Sequence, residues 1–105
     1  MKVLIKTAFS TIGFNLIYFN ETPQANGVDC WVKSTKGRPM SVEIKKLRKN
    51  SKTGAISVEP VSRNRKADDF IAIIFNKNYV LIEPMKDHLK CCGPKGYRPM
   101  TIFNS

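Results

Sequence analysis

Apolar residues Val3, Leu4, Ile5, Ala8, Phe9 and Ile12 recur at helical spacing, and Gly13 follows where a helix C-cap belongs. The pattern predicts a short amphipathic helix over residues 2–12. Phe14 to Phe19 then reads as a strand, and NETPQANG (20–27) carries Pro, Asn and Gly with no apolar period, which marks a loop. Val28 to Val32 and Met40 to Leu47 are β-type runs, separated by the polar stretch Lys33 to Pro39 with its Lys36-Gly37 pair, and together they predict a hairpin. Within the second run Val42 and Ile44 alternate with Glu43 and Lys45. Period two puts the two charged residues on one face and the two apolar ones on the other.

A basic loop, Arg48 to Gly54, leads to a further strand, Ala55 to Glu59, which Pro60 ends; a second basic loop, SRNRK (62–66), follows. Phe70 to Phe75 is apolar throughout, as a strand buried on both faces should be. Asn76-Lys77-Asn78 turns the chain into Tyr79 to Glu83. Pro84 stops that strand, Met85 to Cys92 forms a short helix, and residues 92–105 make an irregular Gly/Pro-rich tail. The expected order is α-β-β-β-β-β-β-α in a single α/β (α+β) domain, 1–105, with a central mixed sheet flanked by an N-terminal and a C-terminal helix.

At 105 residues the chain holds one small core, and 42% hydrophobic with 25% charged residues is the balance of a folded globular protein. Its longest apolar stretch, Phe70 to Phe75, is far short of the roughly 20 residues that span a bilayer, so no membrane partner is expected. Lys6 interrupts the apolar N-terminus and no small-residue cleavage site follows it, against the pattern of a secretory signal. Cys30, Cys91 and Cys92 are odd in number and two are adjacent, which argues against a disulfide framework and for a reducing, cytoplasmic setting.

Charge changes the picture most. The chain carries 18 Lys+Arg against 8 Asp+Glu, a net +10. Residues 33–66 hold eleven basic residues against Glu43 and Glu59, so nine of the ten excess charges sit in one third of the chain. Such concentration points to a polyanion, nucleic acid first. Lys33, Lys36, Arg38, Lys46, Arg48, Lys49, Arg63, Arg65 and Lys66 are the candidate phosphate contacts, positioning a backbone without reading sequence. Solubility alone is the other account of these charges.

Asp29 on one arm of the hairpin and Glu43-Ile44-Lys45 on the other bring two carboxylates and an ammonium toward one sheet face. Two carboxylates are hard oxygen ligands for Mg²⁺ or Mn²⁺; the cation neutralises charge on a phosphodiester and lowers the pKa of bound water, while a neighbouring Lys stabilises that charge or orients the nucleophile. The residues also admit plainer readings, with Glu43 and Lys45 as an exposed cross-charged strand face and Asp29 as a turn cap.

Gly27-Val28-Asp29 followed by Glu43-Ile44-Lys45, with a helix leading into FNLIYF, the basic SRNRK loop and KADDFIAIIFNKNYVLIEP ahead of a final helix, resembles the PD-(D/E)XK nuclease superfamily. The branch is that of small Holliday junction resolvases and group-I-intron-associated endonucleases, and the resemblance spans about residues 2–90. It implies a restriction-endonuclease-like fold and a Mg²⁺-dependent endonuclease acting on duplex or branched DNA, with RNA also open. It further implies Asp29, Glu43 and the Ile44 carbonyl as metal ligands, Lys45 as the catalytic lysine, and resolvase-like pairing into a homodimer. A phage or bacterial origin fits it. Two departures stand out: Val28 occupies the position before Asp29, and the N-terminal helix offers no acidic ligand, leaving Glu21 as the nearest substitute.

Two other functions compete: a noncatalytic nucleic-acid-binding module on a degenerate nuclease fold, and a basic protein-binding inhibitor of phage type. Trp31 is expected on the face opposite Asp29, in the core, and Phe14, Tyr18, Phe19, Phe70, Phe75 and Tyr79 are expected as packing. Asp68 and Asp69 are expected to be structural. His88, Cys91 and Cys92 lack a convincing fourth partner for zinc.

Overall fold

The computed structural model describes residues 1–22 and 27–100; residues 23–26 of the expected loop and 101–105 of the expected tail lie outside them. The elements are α1 (Lys2–Thr11), β1 (Asn15–Phe19), β2 (Cys30–Lys33), β3 (Met40–Lys49), β4 (Ile56–Val58), β5 (Phe70–Asn76), β6 (Tyr79–Pro84), α2 (Met85–Lys90) and β7 (Arg98–Pro99). Among the described residues seven strands join in one mixed sheet with two helices, an α+β architecture.

Helix α1 follows from its apolar stripe: Ile5 and Phe9, one turn apart, are fully buried, and the chain leaves through Gly13 at φ +86°, a left-handed conformation that favours glycine. Phe9 meets Phe14 and Phe70 edge-on at 6.3 and 5.9 Å between ring centroids, which locks the helix across β1 and β5. Removing that ring would cost about 3–5 kcal/mol.

Strands β1, β2 and β3 form an antiparallel meander, β3 then runs parallel to β5, and β5 turns back into β6. A parallel pair needs a long crossover. Here residues 50–69 supply it with strand β4 in place of a helix. Alternation along the strands divides the core in two. Cys30, Val32, Val42 and Ala72 face α1, whereas Ile71 and Ile73 face the other way, onto Met85 of α2 and Val58 of β4. Strand β5 feeds both clusters, as an unbroken apolar run should.

Several expectations change. The tail is not wholly irregular: β7 pairs with β4 through Ser57↔Pro99 and Val58↔Arg98, making a seventh strand. The final helix ends at Lys90, and Pro84 is the last residue of β6 and the N-cap of α2, a place where its missing N–H costs nothing. Trp31 is on the same face as Asp29, because residues two apart on extended chain share a face, and it belongs to neither core cluster. Tyr18 and Tyr79, expected as packing, are 54% and 69% exposed.

Candidate metal centre and basic surface

The site begins with how β3 shares its edges. Residues 42–46 pair with β5, residues 40–42 pair with β2, and residues 47–49 pair with β4. Neither β2 nor β4 pairs with β3 between Val42 and Leu47, which leaves a notch. A cleft of about 600 Å³ opens there, lined by Met1, Phe19, Asn20, Glu21, Asp29, Ile44, Lys45, Lys46 and Glu59.

Asp29 stands one residue before β2, where the β2–β3 register continues to Glu43. Its backbone is fixed by Asn20 N–H, which donates to the Asp29 carbonyl at 2.8 Å. Its side chain is fixed by the notch: Ile44 N–H donates to Asp29 Oδ2 at 2.7 Å, occupying the edge position that a continuing strand would have taken. The N–H and C=O of one strand residue leave by the same edge, so the Ile44 carbonyl also belongs to the Asp29 side.

Glu43 and Lys45 project together from β3, with side chains 15% and 24% exposed, and Lys45 Nζ lies 3.8 Å from Glu43 Oε1, an ion-pair distance longer than a hydrogen bond. Burial raises the Glu43 carboxyl above its ordinary value, and the Asp29 charge raises it further; Lys45 and Arg65 oppose both. A half-buried carboxylate whose charge is disfavoured by a neighbouring acid is one that a divalent cation would stabilise. Asp29, Glu43 and the Ile44 carbonyl supply hard oxygen atoms of the kind such an ion takes. Among the described residues no three His, Cys, Asp or Glu side chains gather into a metal-holding group. Glu21 lines the same cleft but is exposed and pairs with Lys2 at 3.7 Å.

Arg65, expected only as a phosphate contact, comes inward from the basic loop. Its side chain is 20% exposed, it bears on Glu43, and its Nη1 donates to the Ser62 carbonyl at 3.2 Å. Its Nε lies 3.0 Å from Asp68 Oδ1, yet the N–H is not aimed at that oxygen and finds no hydrogen-bond partner. The other basic candidates divide. Arg38 grips Asp69 with two bonds, 2.7 and 3.2 Å. Lys33 donates to the carbonyls of Ser34 and Thr35 within its own turn, and Arg48 donates to the Tyr97 hydroxyl at 3.2 Å. Lys36, Lys46, Lys49, Arg63 and Lys66 are exposed.

Asp69 is structural. It accepts from Arg38, from Ser41 N–H at 2.9 Å and from Ser41 Oγ at 3.1 Å, and these bonds hold its carboxyl down at about 2. Ser41 sits on the same face as Glu43, two residues away, so the network fixes β3 beside the site. Zinc has no support: His88 Nδ1 faces Arg98 Nη1 at 3.2 Å, which can only donate, and Cys30 is in the cluster on the other face of the sheet.

Reading the sequence missed Glu59, one of only two acids in the basic third of the chain, which lines the notch at the end of β4. It also missed the Tyr18–Trp31 cross-strand pair beside Asp29, for which period two along β2 was the available signal. No family model, curated protein or solved structure matches this chain.

Proposed function

We propose that this chain is a metal-dependent nuclease domain that hydrolyses phosphodiester bonds of nucleic acid at the notch in β3. One observation carries the reading: a convergence at the open edge of β3 of Asp29 and Lys45, which line the cleft, with Glu43, which lies 3.8 Å from Lys45 and whose carboxyl feels the Asp29 charge. The antiparallel β1–β2–β3 meander with β5 parallel to β3 supports it as the scaffold for that convergence.

The roles follow from chemistry. Asp29, Glu43 and the Ile44 carbonyl would hold Mg²⁺ or Mn²⁺, which supplies positive charge to the phosphate oxygens and an acidified water. Lys45, held near Glu43, offers its ammonium to charge developing on the phosphorus oxygens or orients the nucleophile. Arg65 adds a second fixed cation on the same side. Exposed Lys36, Lys46, Lys49, Arg63 and Lys66 hold the backbone electrostatically.

The test incubates the protein with branched, duplex and single-stranded DNA plus Mg²⁺ or Mn²⁺, beside Glu43→Ala and Lys45→Ala. Cleavage is expected from the unmutated chain and a loss of 100-fold or more, on the order of a lost charge-stabilising group, from either variant. Binding without any cleavage would refute the enzyme and leave the second reading, a noncatalytic nucleic-acid-binding module. That reading draws on the two-carboxylate site, one of whose four oxygens is already committed to Ile44 N–H.

A further inference from the structure

The three-stranded arm made by the end of β3, β4 and β7 carries a cavity of its own. It measures about 300 Å³ and is lined by Arg48, Asn50, Ala55, Ser57, Lys95 and Tyr97, with no acidic residue among them. Three separate segments converge on it. We propose that this cavity is a phosphate seat for one backbone phosphate of a nucleic-acid strand bound at the notch, a deepening that rests on the nucleic-acid reading above.

Arg48 and Asn50 are set in advance. Arg48 Nη1 donates to the Tyr97 hydroxyl at 3.2 Å, and its guanidinium carbon lies 5.6 Å from the centre of the Tyr97 ring, so the long side chain is held before any ligand arrives. Asn50 Oδ1 accepts the N–H groups of Lys52 and Thr53 at 2.9 and 3.1 Å, which leaves the Asn50 amide N–H₂ to donate. Lys95 rides a tight turn closed by Gly93 N–H to the Tyr97 carbonyl at 2.8 Å and by Gly96 N–H to the Gly93 carbonyl at 2.9 Å. A fork, an ammonium, an amide and a hydroxyl around a concave space are what a phosphodiester oxygen pair requires. Glu59 sits 3.9 Å from Arg48 but lines the notch, not this cavity.

Arg48 is two residues along β3 from Lys46, which lines the notch and shares its face, roughly 7 Å at ~3.4 Å per residue. With β3 along the axis of a duplex, at about 3.4 Å of axis per nucleotide on one strand, the seat falls about two nucleotides from the notch. A strand engaged at both points would lie along β3.

The test measures binding of the full chain to a DNA duplex by fluorescence anisotropy across a salt series without divalent metal, for the unmutated protein, Lys95→Gln, Tyr97→Phe and Lys77→Gln. Lys77 is an exposed control in the β5–β6 turn. Lys95→Gln is expected to weaken binding several-fold and to lower the log–log salt slope by about one, with Lys77→Gln near the unmutated protein. Tyr97→Phe should weaken binding by freeing Arg48 while leaving the number of charges unchanged. Calorimetry with inorganic phosphate separates a seat for free phosphate from one for a strand. Loss of inorganic phosphate binding in Lys95→Gln with an unchanged DNA slope overturns the inference, as does equality of Lys95→Gln and Lys77→Gln. Either result leaves the notch untouched, because cleavage and its dependence on Glu43 are read in a separate assay.

Discussion

Both oxygens of Asp69 are engaged, one by Arg38 at 2.7 Å and the other by Ser41, so this single side chain ties the β2–β3 turn and the start of β3 to the start of β5. Its carboxyl is lowered from 3.8 to about 2, first by Arg38 and then by the Ser41 bonds. A depressed folded-state value means that the stabilisation is complete above about 3.8 and is lost as the pH falls through about 2. Asp69→Asn should therefore cost about 1–2 kcal/mol at neutral pH, a figure discounted because the Arg38 side chain is 63% exposed, and should flatten acid unfolding between those values. Urea denaturation at pH 7 and pH 3 checks this; an unchanged pH dependence would contradict it. Glu43 behaves in the opposite sense. Its raised carboxyl favours the folded state at low pH, and that contribution disappears as the pH rises through the folded-state value, so at neutral pH the metal-free site carries an unfavourable charge.

At the scale of elements, the period of the apolar residues placed α1, both arms of the β2–β3 hairpin and the doubly buried β5 within a few residues, because each is dictated by a face that must be covered. β7 was not legible. Its two residues, Arg98 and Pro99, have no alternation to read, and they become a strand only because β4 presents a partner edge. Trp31 was misplaced for a different reason: its size suggested a core position on the face away from Asp29, whereas period two puts it on the Asp29 face, and neither core cluster includes it. The inward reach of Arg65 and the notch itself depend on where β2 stops and β4 starts along β3, which is a property of pairing and not of any one segment.

The arm is sensitive to its turn. Gly96 adopts φ +87°, and a Cβ there would come within 3.0 Å of Pro60 Cβ, whereas a Cβ at Gly54, φ +72°, meets only the far end of the Lys49 side chain at 3.8 Å. Gly96→Ala is expected to destabilise by on the order of 1–2 kcal/mol and by more than Gly54→Ala, since it adds a collision to the same backbone strain. Thermal unfolding of the pair decides it; equal losses would remove the role given to the Pro60 contact.

For the whole molecule, a net +10 concentrated between residues 33 and 66 becomes a divided surface. Some cations are committed inside the fold, as Arg38 is to Asp69, some bear on Glu43, as Lys45 and Arg65 do, and others are exposed or gathered on the arm. Among the described residues no helix is long and apolar enough to cross a membrane. Within this positive field Asp29 and Glu43 form the acidic pair proposed above to hold a cation. The most direct measurement is calorimetric titration of Mn²⁺ into the metal-free protein and into Glu43→Gln. Saturable binding to the unmutated chain, released protons at mildly acidic pH and loss of that binding in the variant are predicted. Equal heats in both proteins, or none in either, would contradict the claim that Asp29 and Glu43 hold a metal.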